Sequence, residues 1–354
     1  MGCVLKRLMP VLVATCALLV PGRGIHAQPI PPPLLIGITA EFSMPGSHAA
    51  QSIDMGIELA ISEVNSRGGV LGRQLAVIRR DDRGVPARAV DNFKELAANP
   101  DVVGVFCGRF SPVAIELAPL ANELRLPLLD PWAAADGIVR QPAPNFVFRL
   151  SLTDTWAMEF LLGHARARGL GHLLLMLPNN AWGRSSEVAA MNHAKRSKGL
   201  RLSTVWYNWG ETKFDSHLAQ AYRDGAQAVI MVANEFEGSR IVKQMAEFPP
   251  GQRLPIIAHW GITAGDFAAA TGEALRAVDL VVVQTFSFDG TRGRRAQEVA
   301  AGVKRRFGVE IDDLHAQAGL AHAYDLTHLL AAAIVRAGHH DRGAVRDSLD
   351  RTER

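Results

Sequence analysis

The sequence predicts an α/β fold made of two similar lobes. Three observations support this. Short apolar segments of strand length alternate with amphipathic segments of helical spacing, the alternation begins again after residue 150, and a length of 354 residues suits two ordinary domains. Alternating strands and helices are typical of parallel sheets with right-handed crossovers.

In the first lobe, each predicted element follows from its own pattern. Residues 34–40 form a short apolar run typical of a buried strand. Residues 53–64 place apolar side chains at helical spacing, and Gly68 and Gly69 end that helix. The same reasoning predicts further strands at 75–79, 102–106 and 126–129, helices at 87–98 and 113–124, and a connecting strand at 146–150.

The pattern then repeats in the second lobe. Strands are predicted at 172–177, 200–207, 228–232 and 255–258, and helices at 155–168, 185–198, 214–223 and 237–247. Two helices, at about 294–307 and 314–337, close the chain. The order of apolar strand, loop and amphipathic helix is shared by the two halves, although their residue identities are not. A cleft between two such lobes is a common site for a small molecule.

Composition excludes several classes of protein. The chain is 48% hydrophobic and 21% charged, as in globular domains. Its net charge of +3 arises from Lys6, Arg7 and Arg23 in an N-terminal segment without acids, so the rest of the chain is neutral. A neutral body argues against binding of a phosphate backbone, and we expect no nucleic-acid partner. A single cysteine remains in that body, Cys107, for which we expect a buried, unreactive thiol.

The first 27 residues have the layout of a secretory signal peptide. A short basic stretch precedes an apolar run over residues 8–20, and Ala27 precedes the expected cleavage site. That run is shorter than the ~20 residues a membrane-spanning helix needs. A lipid anchor at Cys16 is disfavoured, because Thr15 is a poor residue before such a cysteine. No later segment is predicted to span a membrane, and the body is expected to be exported.

Signatures of catalysis, cofactor binding and metal binding are missing from the sequence. There is no Gly-x-Ser-x-Gly elbow, no Gly-x4-Gly-Lys-Ser/Thr phosphate loop and no Gly-x-Gly-x-x-Gly after the first strand. His315, His322 and His328 are 7 and 6 residues apart, whereas two ligands on one helix face need a spacing near 3 or 4. We therefore predict no enzyme activity, no cofactor and no metal.

Candidate ligand contacts lie in loops that follow strands. In open α/β sheets, ligands collect at the carboxyl ends of the strands. Four loops qualify, at 108–112, 130–134, 179–184 and 259–263. In the first of them, Ser111 is placed to cap the following helix, with Pro112 in its first turn. Trp132, Trp182 and Trp260 occupy the other three loops, and both ligand stacking and packing between the lobes stay open for them.

Several stretches carry a family resemblance. Residues 53–60 read Ile-x-x-Gly-Ile-Glu-Leu-Ala, residues 65–73 read Asn-Ser-Arg-Gly-Gly-Val-Leu-Gly-Arg, and residues 182–185 read Trp-Gly-Arg-Ser. In this order they resemble the solute-binding proteins of branched-chain amino acid ABC transporters, the type I periplasmic binding proteins. The resemblance covers about residues 34–340. It implies two Rossmann-like lobes joined by hinge strands that close over a small ligand, in a periplasmic protein that delivers the ligand to an ABC permease in the inner membrane.

The resemblance also implies boundaries for the lobes. We expect residues 28–150 to form the first part of lobe 1, residues 151–284 to form lobe 2, and residues 285–340 to return to lobe 1. Residues 341–354 form a tail that is short by comparison with the family, whose chains add strands and a third hinge crossing after the last long helix. We therefore expect two hinge connections and looser closure.

The ligand contacts come from the same resemblance. Ser111 and the backbone near Ala133 and Ala134 are expected to hold a carboxylate, and Trp182 to cover the ligand. Thr263 matches the position of a family acid that pairs with a ligand ammonium group, a charge that threonine cannot supply. Glu235, Asp136 and Asp266 are alternative acids between which the sequence does not choose. The full set of predicted contacts is Ser111, Trp132, Ala133, Ala134, Trp182, Glu235, Trp260 and Thr263.

Two functions stay open at this point. The first is capture of a small polar solute (an amino acid, an amide or a related carboxylate) for an ABC transporter. The second is an exported ligand-sensing module that reports to a membrane receptor, which the short C-terminal tail slightly favours.

Overall fold

Five parallel strands form the sheet of the first lobe. The computed structural model describes residues 31–290 and 293–352, so the predicted signal peptide and Cys16 lie outside the described residues. The strands are β1 (Leu34–Ala40), β2 (Leu75–Asp81), β3 (Val102–Cys107), β4 (Leu128–Asp130) and β5 (Val147–Arg149), in the spatial order β2-β1-β3-β4-β5. Helices α1 (Ala49–Ser66), α2 (Pro86–Ala98) and α3 (Ser111–Glu123) connect them. Cys107 is buried at the end of β3, and burial raises the pKa of its thiol well above the usual range.

The second lobe repeats this architecture. Its sheet has the order β10-β9-β8-β6-β7, and every pair of neighbouring strands is parallel. The elements are α4 (Asp154–Ala167), β6 (His172–Pro178), α5 (Ala181–Arg196), β7 (Arg201–Tyr207), α6 (Asp215–Arg223), β8 (Ala228–Met231), α7 (Glu235–Glu247), β9 (Ile256–Ala258), α8 (Phe267–Thr271) and β10 (Leu280–Val282). Two parallel sheets with flanking helices confirm the predicted α/β fold.

The last three helices pack on the first lobe. They are α9 (Arg294–Phe307), α10 (Gln317–Ala337) and α11 (Arg342–Asp350). Helices α9 and α10 pack against α1, and α11 packs against α10 and β3. Helix α11 was not predicted from the sequence, and its Val345 and Leu349 are buried. Arg342 ties this helix to the first lobe by donating hydrogen bonds to the backbone oxygens of Ala97, Asn99 and Val102.

One helix overturns the expectation that no later segment is long and apolar enough to span a membrane. Helix α10 has 21 residues and a mean hydropathy of 1.2 over its most apolar window, values that a membrane span also reaches. However, 72% of that window is buried inside the protein, because the helix packs lengthwise against α1. These apolar residues therefore fill the interior of the first lobe.

Helix α5 begins four residues earlier than predicted. The side chain of Asn180 accepts hydrogen bonds from the backbone N–H groups of Trp182 (2.9 Å) and Gly183 (3.3 Å), which is the arrangement of an asparagine N-cap. The prediction of a polar loop through Arg184 was therefore wrong. Trp182 lies in the first turn of the helix, where the backbone fixes its direction.

Helices α1 and α10 approach closely at Gly56. A Cβ atom added there would lie 2.3 Å from the backbone oxygen of Leu320. Because backbone cannot move aside as a side chain can, Gly56→Ala is expected to lower the free energy of unfolding by at least ~1–3 kcal/mol. Gly163→Ala is the matched control within a helix, since a Cβ atom there meets nothing within 4 Å and helix propensity favours alanine. Equal urea midpoints for the two variants would contradict this close approach.

Candidate functional site

A small cavity lies where the carboxyl ends of the two sheets face each other. Its walls follow β3 and β4 in the first lobe and β6, β7, β8 and β9 in the second. The lining residues are Arg109, Phe110, Ser111, Trp132, Ala134, Trp182, Trp209, Asn234, His259 and Trp260. The space open to the centres of water molecules is only about 10 Å³, close to what one water molecule needs.

Aromatic rings form most of this wall. Trp132, Trp182 and Trp260 are 3%, 6% and 1% exposed, so the protein itself covers all three. The His259 ring stacks on Trp260 with centroids 3.7 Å apart and meets Trp182 edge-on at 4.9 Å. Packing therefore accounts for much of the burial of these tryptophans, and the cavity exposes only part of each ring.

Ser111 does not cap its own helix, which corrects the sequence analysis. Helix α3 begins at Ser111 itself and has no side-chain cap. The Ser111 Oγ instead accepts hydrogen bonds from the backbone N–H groups of Ala134 and Ala135, both at 3.2 Å. The N–H of Ala133 donates to Asp130 Oδ1 at 2.8 Å. The backbone donors predicted to hold a carboxylate are thus bonded within the lobe, and the Ser111 hydroxyl keeps its own proton to donate.

A buried ion pair crosses between the lobes beside the cavity. Arg109 donates from both terminal nitrogens to Glu235, with Nη2 at 2.8 Å from Oε1. On the other side, Arg109 Nε lies 3.5 Å from Glu41 Oε1. The three side chains are 2%, 12% and 1% exposed, in the order Arg109, Glu235 and Glu41. Burial raises the pKa of Glu41, and the nearby guanidinium opposes that effect.

The remaining predicted residues lie elsewhere. Thr263 Oγ1 donates to the backbone oxygen of Trp260 at 2.8 Å, and the residue lines a separate cavity beside α8 and α10. Asp136 accepts from the backbone N–H of Thr155, and Asp266 lies on the surface beside two histidines. Of the predicted set, Ser111, Trp132, Ala134, Trp182 and Trp260 line the cavity, Glu235 is linked to it through Arg109, and Ala133 and Thr263 do not reach it.

Trp182 Nε1 is buried at the cavity and has no hydrogen-bond partner among the described residues. Arg109 Nε and His259 Nε2 also form no hydrogen bond, but each faces a carboxylate: Arg109 Nε lies 3.5 Å from Glu41 Oε1, and His259 Nε2 lies 3.7 Å from Asp154 Oδ1. Burial lowers the pKa of His259, which keeps the imidazole neutral near pH 7. Its Nδ1 accepts from the N–H of Gly261 at 3.3 Å, so the proton belongs on Nε2. A buried donor without an acceptor is costly, and Trp182 Nε1 is in that position. The cavity is suited to oxygen acceptors.

Five wall residues are absent from the predicted set: Arg109, Phe110 and His259, which lie in the predicted ligand loops 108–112 and 259–263, and Trp209 and Asn234, which follow β7 and β8 outside those loops. A signal for them existed, because each follows the carboxyl end of a strand, as the predicted residues do. Trp209 comes two residues after β7 and has the same tryptophan–glycine pairing that drew attention to Trp182 and Trp260. Trp209 and Asn234 follow strands whose loops were not among the four predicted, whereas Arg109, Phe110 and His259 lie inside predicted loops beside residues that were chosen.

Asp130, the last residue of β4 before the loop that shapes the cavity, should make stability depend on pH. Burial raises its pKa from 3.8 to about 6, so the folded state holds this proton more tightly than the unfolded state. The resulting stabilisation is complete below pH 3.8 and is lost as the pH rises through about 6. Asp130→Asn keeps an oxygen for the N–H groups of Trp132 and Ala133.

The wild type is therefore expected to lose roughly 1 kcal/mol more than Asp130→Asn when the pH rises from 5 to 7. Urea unfolding at both pH values measures this difference. Parallel pH profiles for the two proteins would count against a buried, protonated Asp130.

Comparisons with known proteins agree with this geometry. The family described as "Periplasmic binding protein" matches residues 33–353. Leu/Ile/Val-binding protein homolog 1 of Brucella abortus (strain 2308) is 25% identical over 313 residues, which cover 87% of this chain and 80% of the relative.

Solved structures of similar fold bind different molecules. The branched-chain amino acid transporter substrate-binding protein LivJ of Streptococcus pneumoniae, in complex with isoleucine, has a TM-score of 0.78 at 21% identity and covers 91% of this chain and 88% of its own. A solute-binding protein of an ABC transporter from Rhodopseudomonas palustris BisB5, in complex with 3,4-dihydroxybenzoic acid, has a TM-score of 0.73 at 20% identity. The match covers 89% of this chain and 83% of that protein. The chain therefore belongs to the periplasmic binding protein family, has the type I fold, and is similar to Leu/Ile/Val-binding protein homologues.

Proposed function

We propose that this protein captures a small polar solute bearing carboxylate or amide oxygens in the cavity between its lobes, and that it delivers the solute to an ABC permease. The observation that carries the proposal is the buried donor Trp182 Nε1, which has no acceptor among the described residues and lies on a wall built from both lobes. An oxygen of the solute would supply the missing acceptor. The Ser111 hydroxyl would add a further donor from the first lobe.

The cavity walls also favour a solute with an apolar or aromatic portion. Phe110 and four tryptophans enclose the polar groups, a combination typical of small-molecule sites. Of the acids near the cavity, Glu41 and Glu235 face Arg109, and Asp154 faces His259 with its Oδ1 3.7 Å from Nε2, so each already lies beside a nitrogen donor of the protein. Recognition through the solute's oxygens, without an ammonium contact at Thr263, is thus the better fit.

Entry of the solute would require the lobes to part. The cavity holds little more than one water molecule, and the Arg109–Glu235 pair closes one side of it. Hinge motion of two lobes around a ligand is a common mechanism in binding proteins. The basic and apolar layout of residues 1–27 supports export through a signal peptide, and with it a periplasmic location.

Trp182→Phe tests the proposed donor, because phenylalanine keeps an aromatic ring and removes the N–H. A hydrogen bond to a charged acceptor contributes about 1.5–3 kcal/mol, so affinity for a carboxylate should fall about 10- to 100-fold. Isothermal titration with isoleucine and with 3,4-dihydroxybenzoate, the ligands of the two solved relatives, provides the first probes. Trp156→Phe is the control, because that tryptophan is 66% exposed on α4. Equal affinities for wild type and Trp182→Phe would refute the proposed contact.

A further inference from the structure

A second cluster of polar side chains joins the lobes on the surface, away from the solute cavity. His48 and His315 come from the first lobe, before α1 and before α10, and Asp266 comes from the second lobe, between β9 and α8. One possible ligand atom from each lies within 4.8 Å of the others. None of the three residues lines the solute cavity.

Two distances in this cluster fit neighbouring ligands of one metal ion. His315 Nε2 lies 3.1 Å from Asp266 Oδ1, and His48 Nε2 lies 3.4 Å from the same oxygen. In a tetrahedral site with bonds of ~2.0–2.1 Å, neighbouring ligand atoms are about 3.3 Å apart. The two imidazole rings are stacked, with centroids 4.8 Å apart and an angle of 25° between their planes, so both present Nε2 toward Asp266.

The backbone around the cluster is held by contacts between the lobes. The N–H of His48 donates to the oxygen of Ala264 at 3.1 Å, and Ser47 forms a β-bridge with Gly265. The N–H of Ala316 donates to the oxygen of Thr263 at 3.0 Å. Ala316 has φ of +54°, a left-handed conformation that is uncommon for a residue with a Cβ atom. The chain thus adopts an unfavourable turn where it places His315 beside Asp266.

We propose that His48, Asp266 and His315 bind a divalent transition-metal ion that bridges the two lobes. Two imidazoles and a carboxylate with one open position for water match the ligand sets of zinc. Imidazole ligands disfavour calcium and magnesium, which take oxygen ligands. The prediction of no metal rested on the spacing of His315, His322 and His328 along one helix. The partner of His315 is instead His48, 267 positions earlier in the chain, which such spacing does not reveal.

A bridging ion would act on the lobes as well as bind to them. Asp266 reaches the two histidines only when the lobes are in contact, so the ion binds this arrangement more tightly than a parted one. Metal and solute would then each favour the same closed arrangement, at separate sites. The inference does not depend on which solute the cavity accepts.

Equilibrium dialysis of the full chain against Zn²⁺ tests the site, with bound zinc measured per chain by atomic emission. The wild type is expected to bind one more zinc ion per chain than Asp266→Asn and His315→Ala, or to bind it at least tenfold more tightly. His217→Ala is the control, since His217 is also half-exposed and lies beside the carboxylate of Glu211, but without a second histidine. Its zinc binding should equal that of the wild type.

A second readout separates a lost ligand from a lost fold. Zinc should raise the melting temperature of the wild type and of His217→Ala by the same amount, and this shift should disappear in Asp266→Asn. Without metal, the melting temperature of Asp266→Asn should equal that of the wild type. Equal zinc stoichiometry and equal shifts in the wild type, Asp266→Asn and His315→Ala would overturn the proposal. If the wild type bound no zinc at a free zinc concentration about 100 times a dissociation constant in the micromolar range, the proposal would also be overturned.

Discussion

Replacement of Arg109 by methionine is expected to lower the free energy of unfolding by about 3–5 kcal/mol, the usual cost of leaving a buried charge without its partner. Arg109 is the cation between Glu41 and Glu235, and its own side chain is 2% exposed. Methionine fills a similar volume but leaves two carboxylates facing each other. Urea unfolding at pH 7, without ligand, measures the loss.

Two further variants define the origin of this effect. Arg276→Met removes a cation from a pair with Glu273 in which the side chains are 81% and 84% exposed, and it should change stability by less than ~1 kcal/mol. The double variant Arg109→Met with Glu41→Gln removes one of the stranded charges and should recover part of the loss. An Arg109→Met variant as stable as Arg276→Met would show that the ion pair between the lobes does not form.

Trp260→Ala is expected to lower the free energy of unfolding by about 3–5 kcal/mol, as large-to-small substitutions in cores do. Trp260 is 1% exposed and stacks on His259, so removal of its ring leaves a cavity among rigid neighbours. The measurement is again unfolding without ligand, which isolates packing from any contact with a solute. It thereby decides how much of the role of Trp260 is structural.

The matched control for this effect is Trp156→Ala. Because Trp156 is 66% exposed, its truncation should change stability by no more than about 0.5 kcal/mol. Equal urea midpoints for Trp260→Ala and Trp156→Ala would show that the Trp260 ring is not packed in the core.

The fold was predictable from the sequence because strands and helices leave regular patterns of apolar residues. Apolar runs such as 102–106 and 172–177 are strands β3 and β6, since their burial on both faces leaves a continuous apolar signal. The positions of ligand loops followed from the same strands, because a parallel sheet brings its carboxyl ends together. Five of the eight predicted contacts line one cavity for this reason.

Contacts distant in sequence were not predictable in the same way. Glu235 was identified, but its partner Arg109 is 126 positions away, and only the fold brings the two together. Ser111 has the local pattern of a helix cap, yet a neighbouring loop offers its oxygen two N–H groups, and that tertiary contact replaces the cap. The start of α5 was predicted too late because the residues after Asn180 are largely polar and resemble a loop. Asparagine is nevertheless a favoured N-cap residue, and Asn180 begins the helix.

The most direct test of the central claim is a thermal-shift screen of the wild type against amino acids, amides, ureas and aromatic carboxylates, repeated with Trp182→Phe and Trp156→Phe. A solute at 100 times its dissociation constant stabilises the folded state by ~2.7 kcal/mol. We expect at least one compound with carboxylate or amide oxygens to raise the melting temperature of the wild type and of Trp156→Phe, and to raise that of Trp182→Phe much less. A cooperative transition that no compound shifts, or a shift of equal size in all three proteins, would contradict solute capture at the cavity between the lobes.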